Sequence, residues 1–447
     1  MSALKVAVVG VGYVGLSTAV CLATKFRTVA VDINEGRILQ LRAGNAPIFE
    51  QGLAPLLRKG LASKRLSFST SLEGQVADVY FIAVGTPSEA DGSIDLSQVK
   101  AAAASVGVSV RSSRSRPLVF AKSTAVPGSA RTVVKPAIEE ASGKVCGVGF
   151  GLCANPEFLK EGSAIADTLK PDRVVLGPFD SLSKRQAVSF YGRFYRKGSA
   201  RLLVTSPEGA ELVKYGSNAL LATKVSFINM VASLCERFPG TDVGEVARGI
   251  GMDRRLGPQF LQAGPGFGGS CFPKDLRAFS KSIESEGLDN SLVRDVLEIN
   301  ERQPKHVAQL GAAAAGPLTG KEASVLGLAF KAGTDDVRES RSFPLIDELL
   351  SMGATVRVFD PVAIPAARKV LGTRVVYSSS AADCIKGADI AFVMTDWPEF
   401  RTISAAHYRK LMRSPILVDA RRVYDPSKYA KGIQFLAVGL GGGVRSA

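Results

Sequence analysis

At 447 residues the chain exceeds one ordinary core, so two or three domains are expected. With 46% hydrophobic and 22% charged residues it has the composition of a globular protein, which excludes a disordered one. The net charge of +15 is spread along the chain rather than gathered in a stripe, which points away from a nucleic-acid reader and toward anionic small molecules such as nucleotides.

The first element is a buried-strand run from Val6 to Val9. Gly10, Val11, Gly12, Tyr13, Val14 and Gly15 follow, giving G-x-G-x-x-G at the start of a helical pattern. A second strand, "TVAVDIN", ends in Asp32. The first glycine allows a tight turn, the second lets a pyrophosphate approach the backbone, and the third lets helix and strand pack closely. The helix N-terminus offers N–H donors and the positive end of a dipole. Asp32 is placed to accept hydrogen bonds from the adenine ribose, so the stretch predicts an NAD site. A 2′-phosphate would face the Asp32 carboxylate, and Ile33 and Asn34 bring no compensating arginine. The apolar run 6–23 is therefore strand, turn and helix rather than a membrane span, and no other stretch is read as a continuous span of about 20 apolar residues.

"VADVYFIAVGTP" and "LVFAKSTAVPG" predict two more parallel strands ending near Thr86 and Thr124. Ligands of open α/β sheets sit at the carboxyl ends of strands, which puts both threonines at the cofactor crevice; their plainer role is turn and cap chemistry. "RSSRSR" at 111–116 reads as a short solvated loop. Ser206-Pro207 predicts an N-cap and a first-turn proline, followed by helical periodicity from Glu208 to about Phe238. "GPGFGGSCFPKD" at 264–275 predicts a glycine loop, then Cys271, then a helix opened by Pro273. A thiol at a helix N-terminus is activated, and Gly264, Gly266, Gly268 and Gly269 would give a ligand access; the alternative is a small buried hydrophobe. Cys21, Cys146, Cys153, Cys235 and Cys384 keep that plainer role. Without a CxxC pair, and with His306 and His407 the only histidines, zinc-type spacing is absent and a reduced, cytoplasmic setting is expected. "SLVRDVLEINERQPKHVAQL" predicts a helix interrupted at Pro304. Toward the C-terminus "ASVLGLAFK", "TVRVFDP" and "GADIAFVMTDWPEF" repeat the α/β pattern without the glycine fingerprint, which predicts a second nucleotide-binding domain.

From end to end the chain resembles the UDP-glucose/GDP-mannose dehydrogenases. The resemblance rests on "GVGYVGL", "VGTP…DGSIDLS", "KSTAVPG", "NPEFLKEGSAIAD", "PDRVVLG", "ELVKYGSNALLATKVSFIN", "GFGGSCFPKD" and "LAFKAGTDDVRES". It implies an α/β fold of two Rossmann-like doubly wound domains joined by a long central helix and a helical dimerisation region. The implied segments are 1–200 for NAD, 201–305 for the catalytic lysine and cysteine, and 306–447 for the UDP-sugar. The family reaction is a four-electron oxidation of a sugar alcohol to a carboxylate with two NAD and one water. "NPEFLKEG" together with "GGSCFPKD" looks most like the branch that turns UDP-glucose into UDP-glucuronate. The alternatives are GDP-mannose and UDP-N-acetylhexosamine with the same mechanism.

The resemblance makes Cys271 the nucleophile of a thiohemiacetal and then a thioester. Lys214 and Asn218 hold the sugar hydroxyl and the developing oxyanion. Glu157 directs water onto the thioester; its plainer role is a loop carboxylate paired to Lys160 or Arg173. Asp275 and Thr124 belong to a proton relay, and the first general base is either Lys214 or a water bound by Asp275. Glu161, Lys274 and Arg338 are implied at the cofactor with Thr86 and Thr124. Backbone from Phe158 through Leu159 and Lys160 to Glu161, the loop Phe260, Leu261, Gln262, Ala263 and Gly264, and Gly268 and Lys331 are implied at the substrate. Arg255 is implied to reach the neighbouring subunit of a homodimer, with Arg254 beside it. No metal, nucleic acid or membrane is implied. The chain departs from the family in "KSTAVPG", in "FLKEG" and in "DARRVYDP". A two-electron hydroxyacid dehydrogenase would have no use for Cys271 or a second nucleotide domain, and a non-catalytic sugar sensor would not need Cys271, Lys214 and Glu157 together.

Overall fold

The computed structural model describes residues 4–196, 198–429 and 432–442. They form two compact units, and each holds one mainly parallel sheet.

The first unit comprises residues up to Ser217 with Arg277–Glu286. Its strands are β1 (Lys5–Val9), β2 (Arg27–Val31), β3 (Leu66–Ser69), β4 (Val79–Ile82), β5 (Leu118–Ala121), β6 (Gly151–Ala154), β7 (Val174–Pro178) and β8 (Leu202–Val204). They lie in the order β3-β2-β1-β4-β5-β6-β7-β8, all pairs parallel except β6 with β7. The apolar run 6–23 divides as expected into β1, a turn and the helix Tyr13–Leu22. Two cores flank the sheet because alternate strand residues face opposite sides: Val6, Val8 and Phe81 on one, Ala7, Tyr80 and Ile82 on the other. The basic stretch 111–116 is less solvated than expected. Arg111 closes a helix, and Arg116 is tied to Asp180 at 2.8 Å with its side chain only 14% exposed.

The second unit comprises Asn218–Leu276 and the residues from Gly287 on. Its strands are β9 (Glu322–Leu326), β10 (Thr355–Phe359), β11 (Val376–Tyr377), β12 (Ile390–Val393), β13 (Ile416–Asp419) and β14 (Gln434–Ala437). Their order, β11-β10-β9-β12-β13-β14, is that of a dinucleotide-fold sheet. One core runs through this unit, from Ile228 to Val438. The helix Ser291–Ala315 passes through Pro304 without interruption, contrary to the sequence expectation. A proline inside a helix costs about 3 kcal/mol. Here Pro304, Val307, Ala308 and Gly311 are all buried, and that packing holds the helix through the missing bond.

The helix Pro207–Cys235 begins where Ser206-Pro207 predicts, with the Ser206 hydroxyl accepting from the Gly209 N–H at 3.0 Å. The boundary between the units falls inside it, between Ser217 and Asn218. By length and composition alone this helix is apolar enough to cross a membrane. The apolar residues on its exposed side include Leu212, Leu220, Phe227, Met230 and Leu234.

Candidate active site

At the carboxyl end of β1, Gly10 takes φ +93°, and a Cβ there would stand 2.6 Å from the Ala83 carbonyl oxygen. A Cβ on Gly15 would stand 1.9 Å from the Gly10 oxygen, so this glycine is required for the helix to pack on the turn. Gly12 is different: a Cβ there would meet nothing within 4 Å, and no side chain caps the helix that follows. Open space beside an uncapped helix N-terminus fits a pyrophosphate. The buried Val11 donates its N–H to Asp32 at 2.8 Å, and Asn34 N–H donates to the other carboxylate oxygen at 2.9 Å. Val14 packs against the adjoining core. These residues fit a dinucleotide. An arginine does reach Asp32: Arg37, one turn into the next helix, stands 3.5 Å from the carboxylate. Ile33 and Asn34, the two residues after the acid, give no sign of it, because the following helix brings Arg37 back.

The loop after β6 carries the second group. Glu157 and Lys214 are both buried and pair at 2.8 Å, and Leu159 N–H donates to the other Glu157 oxygen at 2.6 Å. Burial alone would push Glu157 up. The adjacent Lys214 ammonium, its hydrogen bond, the Leu159 N–H and Lys122 overcome that and hold the carboxyl below its ordinary range. Lys122 donates to Asn155 at 3.3 Å. Desolvation, then the nearby Lys214, bring Lys122 down to about 8 against the pull of Glu157. Phe158 stacks under the Arg173 guanidinium at 4.1 Å. Lys160 is exposed and pairs with Asp167, so neither it nor Arg173 is the partner of Glu157. Tyr13 bonds Glu50, and Gly162 N–H donates to both, which ties the cofactor turn to the loop holding Glu161. Thr86 is buried and Thr124 half-buried, both just beyond strand ends.

In the second unit Cys271 immediately precedes the helix Phe272–Ser285, half-buried, with the Ser270 hydroxyl 3.7 Å from its sulfur. Asp275 lies one turn on, its N–H donating to the Cys271 carbonyl at 2.8 Å. Asn218 donates to one Asp275 oxygen at 2.6 Å and Lys274 to the other at 2.7 Å. Lys274, implied at the cofactor, is thus engaged with the acid. Burial pushes Cys21 and Cys384 up to about 12 and Cys146 up to about 11, and raises Cys153 and Cys235 as well, as inert thiols require.

The glycines before Cys271 let neighbouring protein approach the loop closely. A Cβ on Gly268 would stand 2.2 Å from the Glu339 carbonyl oxygen, on Gly269 2.7 Å from the Phe330 ring, on Gly266 2.5 Å from Asn300 and on Gly264 3.1 Å from the Ala420 oxygen. Gly264 N–H donates to Asn229 at 2.8 Å. Leu261 and Ala263 are buried and Gln262 exposed, while Phe260 holds φ +63°, a left-handed turn rare for an aromatic residue. Lys331 lies 5.5 Å from the Phe330 ring. Arg338 pairs with Asp336 at 2.5 Å. Arg255 pairs with Asp253 and is 88% exposed. Arg421, from the departing "DARRV" string, bridges the Met394 and Phe330 carbonyls at 2.9 Å each, and was not singled out from sequence.

Three family models match in order: the UDP-glucose/GDP-mannose dehydrogenase NAD binding domain over residues 4–195, the central domain over 208–302 and the UDP binding domain over 324–426. UDP-glucose 6-dehydrogenase TuaD of Bacillus subtilis is 38% identical over 424 residues, 94% of this chain and 90% of its own. The structure of a UDP-glucose dehydrogenase from Pyrobaculum islandicum superposes with a TM-score of 0.89 at 41% identity, covering 100% of this chain and 98% of that one. A UDP-D-ManNAc dehydrogenase from Pyrococcus horikoshii superposes at 0.85 with 27% identity, covering 98% and 99%.

Proposed function

We propose that this chain, which belongs to the UDP-glucose/GDP-mannose dehydrogenase family, oxidises UDP-glucose to UDP-glucuronate in two NAD-dependent steps. Its similarity to the UDP-glucose enzymes at 41% identity, against 27% for the UDP-D-ManNAc enzyme, favours glucose as the sugar. The observation that carries the chemistry is the thiol at the start of a helix, one turn from an aspartate that Asn218 and Lys274 both hold.

NAD, when bound, supplies the hydride acceptor for each oxidation. The chain's own groups do the rest. The Cys271 sulfur adds to the aldehyde carbon: a C–S bond forms as the C=O π bond opens, and the thiol proton passes to the oxygen, giving a thiohemiacetal whose oxidation leaves a thioester. Glu157 takes a proton from the water that cleaves the thioester. Its low pKa and its bond to Lys214 keep it ionised for that task. Lys214 and Asn218, four apart on one helix, hold the reacting oxygen. The first proton leaves through Lys214 or through a water on Asp275. Thr124, Thr86, Glu161, Lys274 and Arg338 are proposed at the cofactor, and the 158–161 backbone, the 260–264 loop, Gly268 and Lys331 at the substrate. The proposed division of labour is NAD on 1–200, catalysis on 201–305 and UDP on 306–447. The exposed row Leu220, Phe227, Met230 and Leu234 supports a homodimer surface on the long helix, with the exposed Arg255 reaching the neighbouring subunit. The cytoplasm is the proposed setting.

Parallel assays with UDP-glucose, GDP-mannose, UDP-N-acetylmannosamine and UDP-N-acetylglucosamine test the substrate. NADH formation with UDP-glucose alone is expected. Turnover of another of the four at a higher kcat/KM would replace this reading with that sugar.

A further inference from the structure

We propose that Glu211 is the proton store of the first oxidation, exchanging a proton with Lys214 through one water in a small cavity while its carboxylate fixes the loop that bears Thr124. The inference rests on the function proposed above and selects Lys214 from the two candidate bases.

Glu211 and Lys214 are three apart on the helix Pro207–Cys235, so they share a face. Glu211 is 8% exposed. One of its oxygens accepts the Gly128 N–H at 2.6 Å and the other the Ala130 N–H at 2.9 Å. Those donors end the loop that leaves β5, passes Thr124 and enters the helical turn Ala130–Val134. The carboxylate therefore pins this loop to the long helix. Each oxygen keeps a further lone pair after these bonds.

Between the loop and the helix lies a cavity of about 20 Å³, lined by Ser123, Thr124, Ser129, Glu211 and Lys214 with an apolar wall. That volume suits one water, and the polar lining gives it the two to four partners it needs. Among the described residues, the charged groups around it are few. Glu208 and Lys214 come from the same helix and Arg131 from the turn after the loop. Lys122 and Glu157 adjoin the lining residues Ser123 and Pro156 in the loops after β5 and β6. Burial pushes Glu211 up to about 7; the two N–H donors and Arg131 oppose the rise and Glu208 adds to it. A carboxyl poised there both accepts and returns a proton near neutral pH.

An N–H bond of the Lys214 ammonium breaks as an O–H bond forms on the water. The water passes its other proton to the Glu211 carboxylate, which becomes the neutral acid. The freed Lys214 amine then takes the hydroxyl proton of the sugar as the hydride leaves. Glu211 later returns its proton to solvent. Below its pKa Glu211 is already protonated and cannot accept, so the first oxidation slows as pH falls through about 7.

The test is the pH profile of first-step NADH formation in single turnover with UDP-glucose. The wild-type rate is expected to fall about tenfold per pH unit below the inflection. In Glu211→Gln the inflection is expected to vanish. Glu208→Gln removes the neighbouring negative charge and releases Arg131, and is expected to move the inflection to lower pH. Infrared titration of the substrate-free protein gives a readout independent of turnover: a protonated-carboxyl band that disappears near neutral pH in wild type and is absent in Glu211→Gln. The same inflection in wild type and Glu211→Gln, or a uniform loss at every pH, would overturn the proposal. So would a wild-type titration with no carboxyl near neutrality. If UDP-glucose yields no NADH at all, the functional reading fails, and the infrared titration still judges Glu211.

Discussion

Gly10 and Gly327 stand at the same point of the two sheets, one residue past the first strand, with φ of +93° and +102°. Each donates its N–H to the last carbonyl of the neighbouring strand, Val31 at 2.7 Å and Phe359 at 2.8 Å. Asp32 and Asp360 then follow those strands, and each accepts N–H groups from the turn after the first strand. Beyond this the two sheets part. Where the first has Gly12 and Gly15, the second has Ala329 and Ala332. In the first unit a helix begins at Tyr13; in the second the next helix begins only at Ser342. Asp360 is 1% exposed and is surrounded by the Leu328, Ala329, Val362 and Ala363 N–H groups and the Trp397 indole. Among the described residues, Asp32 accepts two backbone N–H groups and an arginine at longer range. The first glycine and the acid are thus conditions of the sheet itself. The second glycine, the immediate helix and an acid with capacity to spare are conditions of binding.

The sharpest expected effect concerns the unit without the fingerprint, because it supplies the thiol. Cys271→Ser is expected to lower UDP-glucuronate formation on the order of 10³-fold or more, since serine makes no oxidisable thiohemiacetal. NAD affinity, read by fluorescence titration, is expected to stay as it was. Loss of NAD binding in this variant would break the assignment of the cofactor to the first unit.

The paired acids come next. Asp360→Ala strands several buried donors and is expected to cost roughly 3–5 kcal/mol in denaturant unfolding. Asp32→Ala is expected to cost roughly 1–2 kcal/mol of stability, and to weaken NAD binding about tenfold or more. Equal stability losses would erase the distinction between a structural acid and a binding one. Gly12→Ala gives the smallest change to the fold. With φ −66° and open space at its Cβ, alanine is expected to leave stability unchanged or raise it by up to about 1 kcal/mol. The same methyl is expected to weaken NAD binding about tenfold by obstructing the pyrophosphate, measurable in the same titration.

Much of this was legible in the sequence because it rests on local patterns. The glycine fingerprint, the acid after β2, the Ser-Pro helix start and the spacing of Lys214 from Asn218 all lie within one or two turns of chain. What escaped depends on contacts distant in sequence. Glu157 finds Lys214 from 57 positions away, and Asn218 finds Asp275 across the same interval. Spacing alone cannot show such pairs, and a salt bridge from Glu157 to Lys160 or Arg173 was the nearer guess. The missing side chains around Cys271 are visible in sequence, while Phe330 and Glu339, which pack against Gly269 and Gly268, lie 61 and 71 positions further on. Pro304 was read as a break because its penalty is local and the packing that outweighs it is not. Glu211 did carry a signal, a carboxylate one helical turn from Lys214, which without burial reads as a solvated charge.

The proposed reaction consists of two oxidations per sugar, joined by a covalent thiol. The direct measurement is the NADH formed per UDP-glucose consumed, followed to completion with excess NAD. A ratio of two with UDP-glucuronate as the product is expected; a ratio of one with an aldehyde as the product would contradict the account.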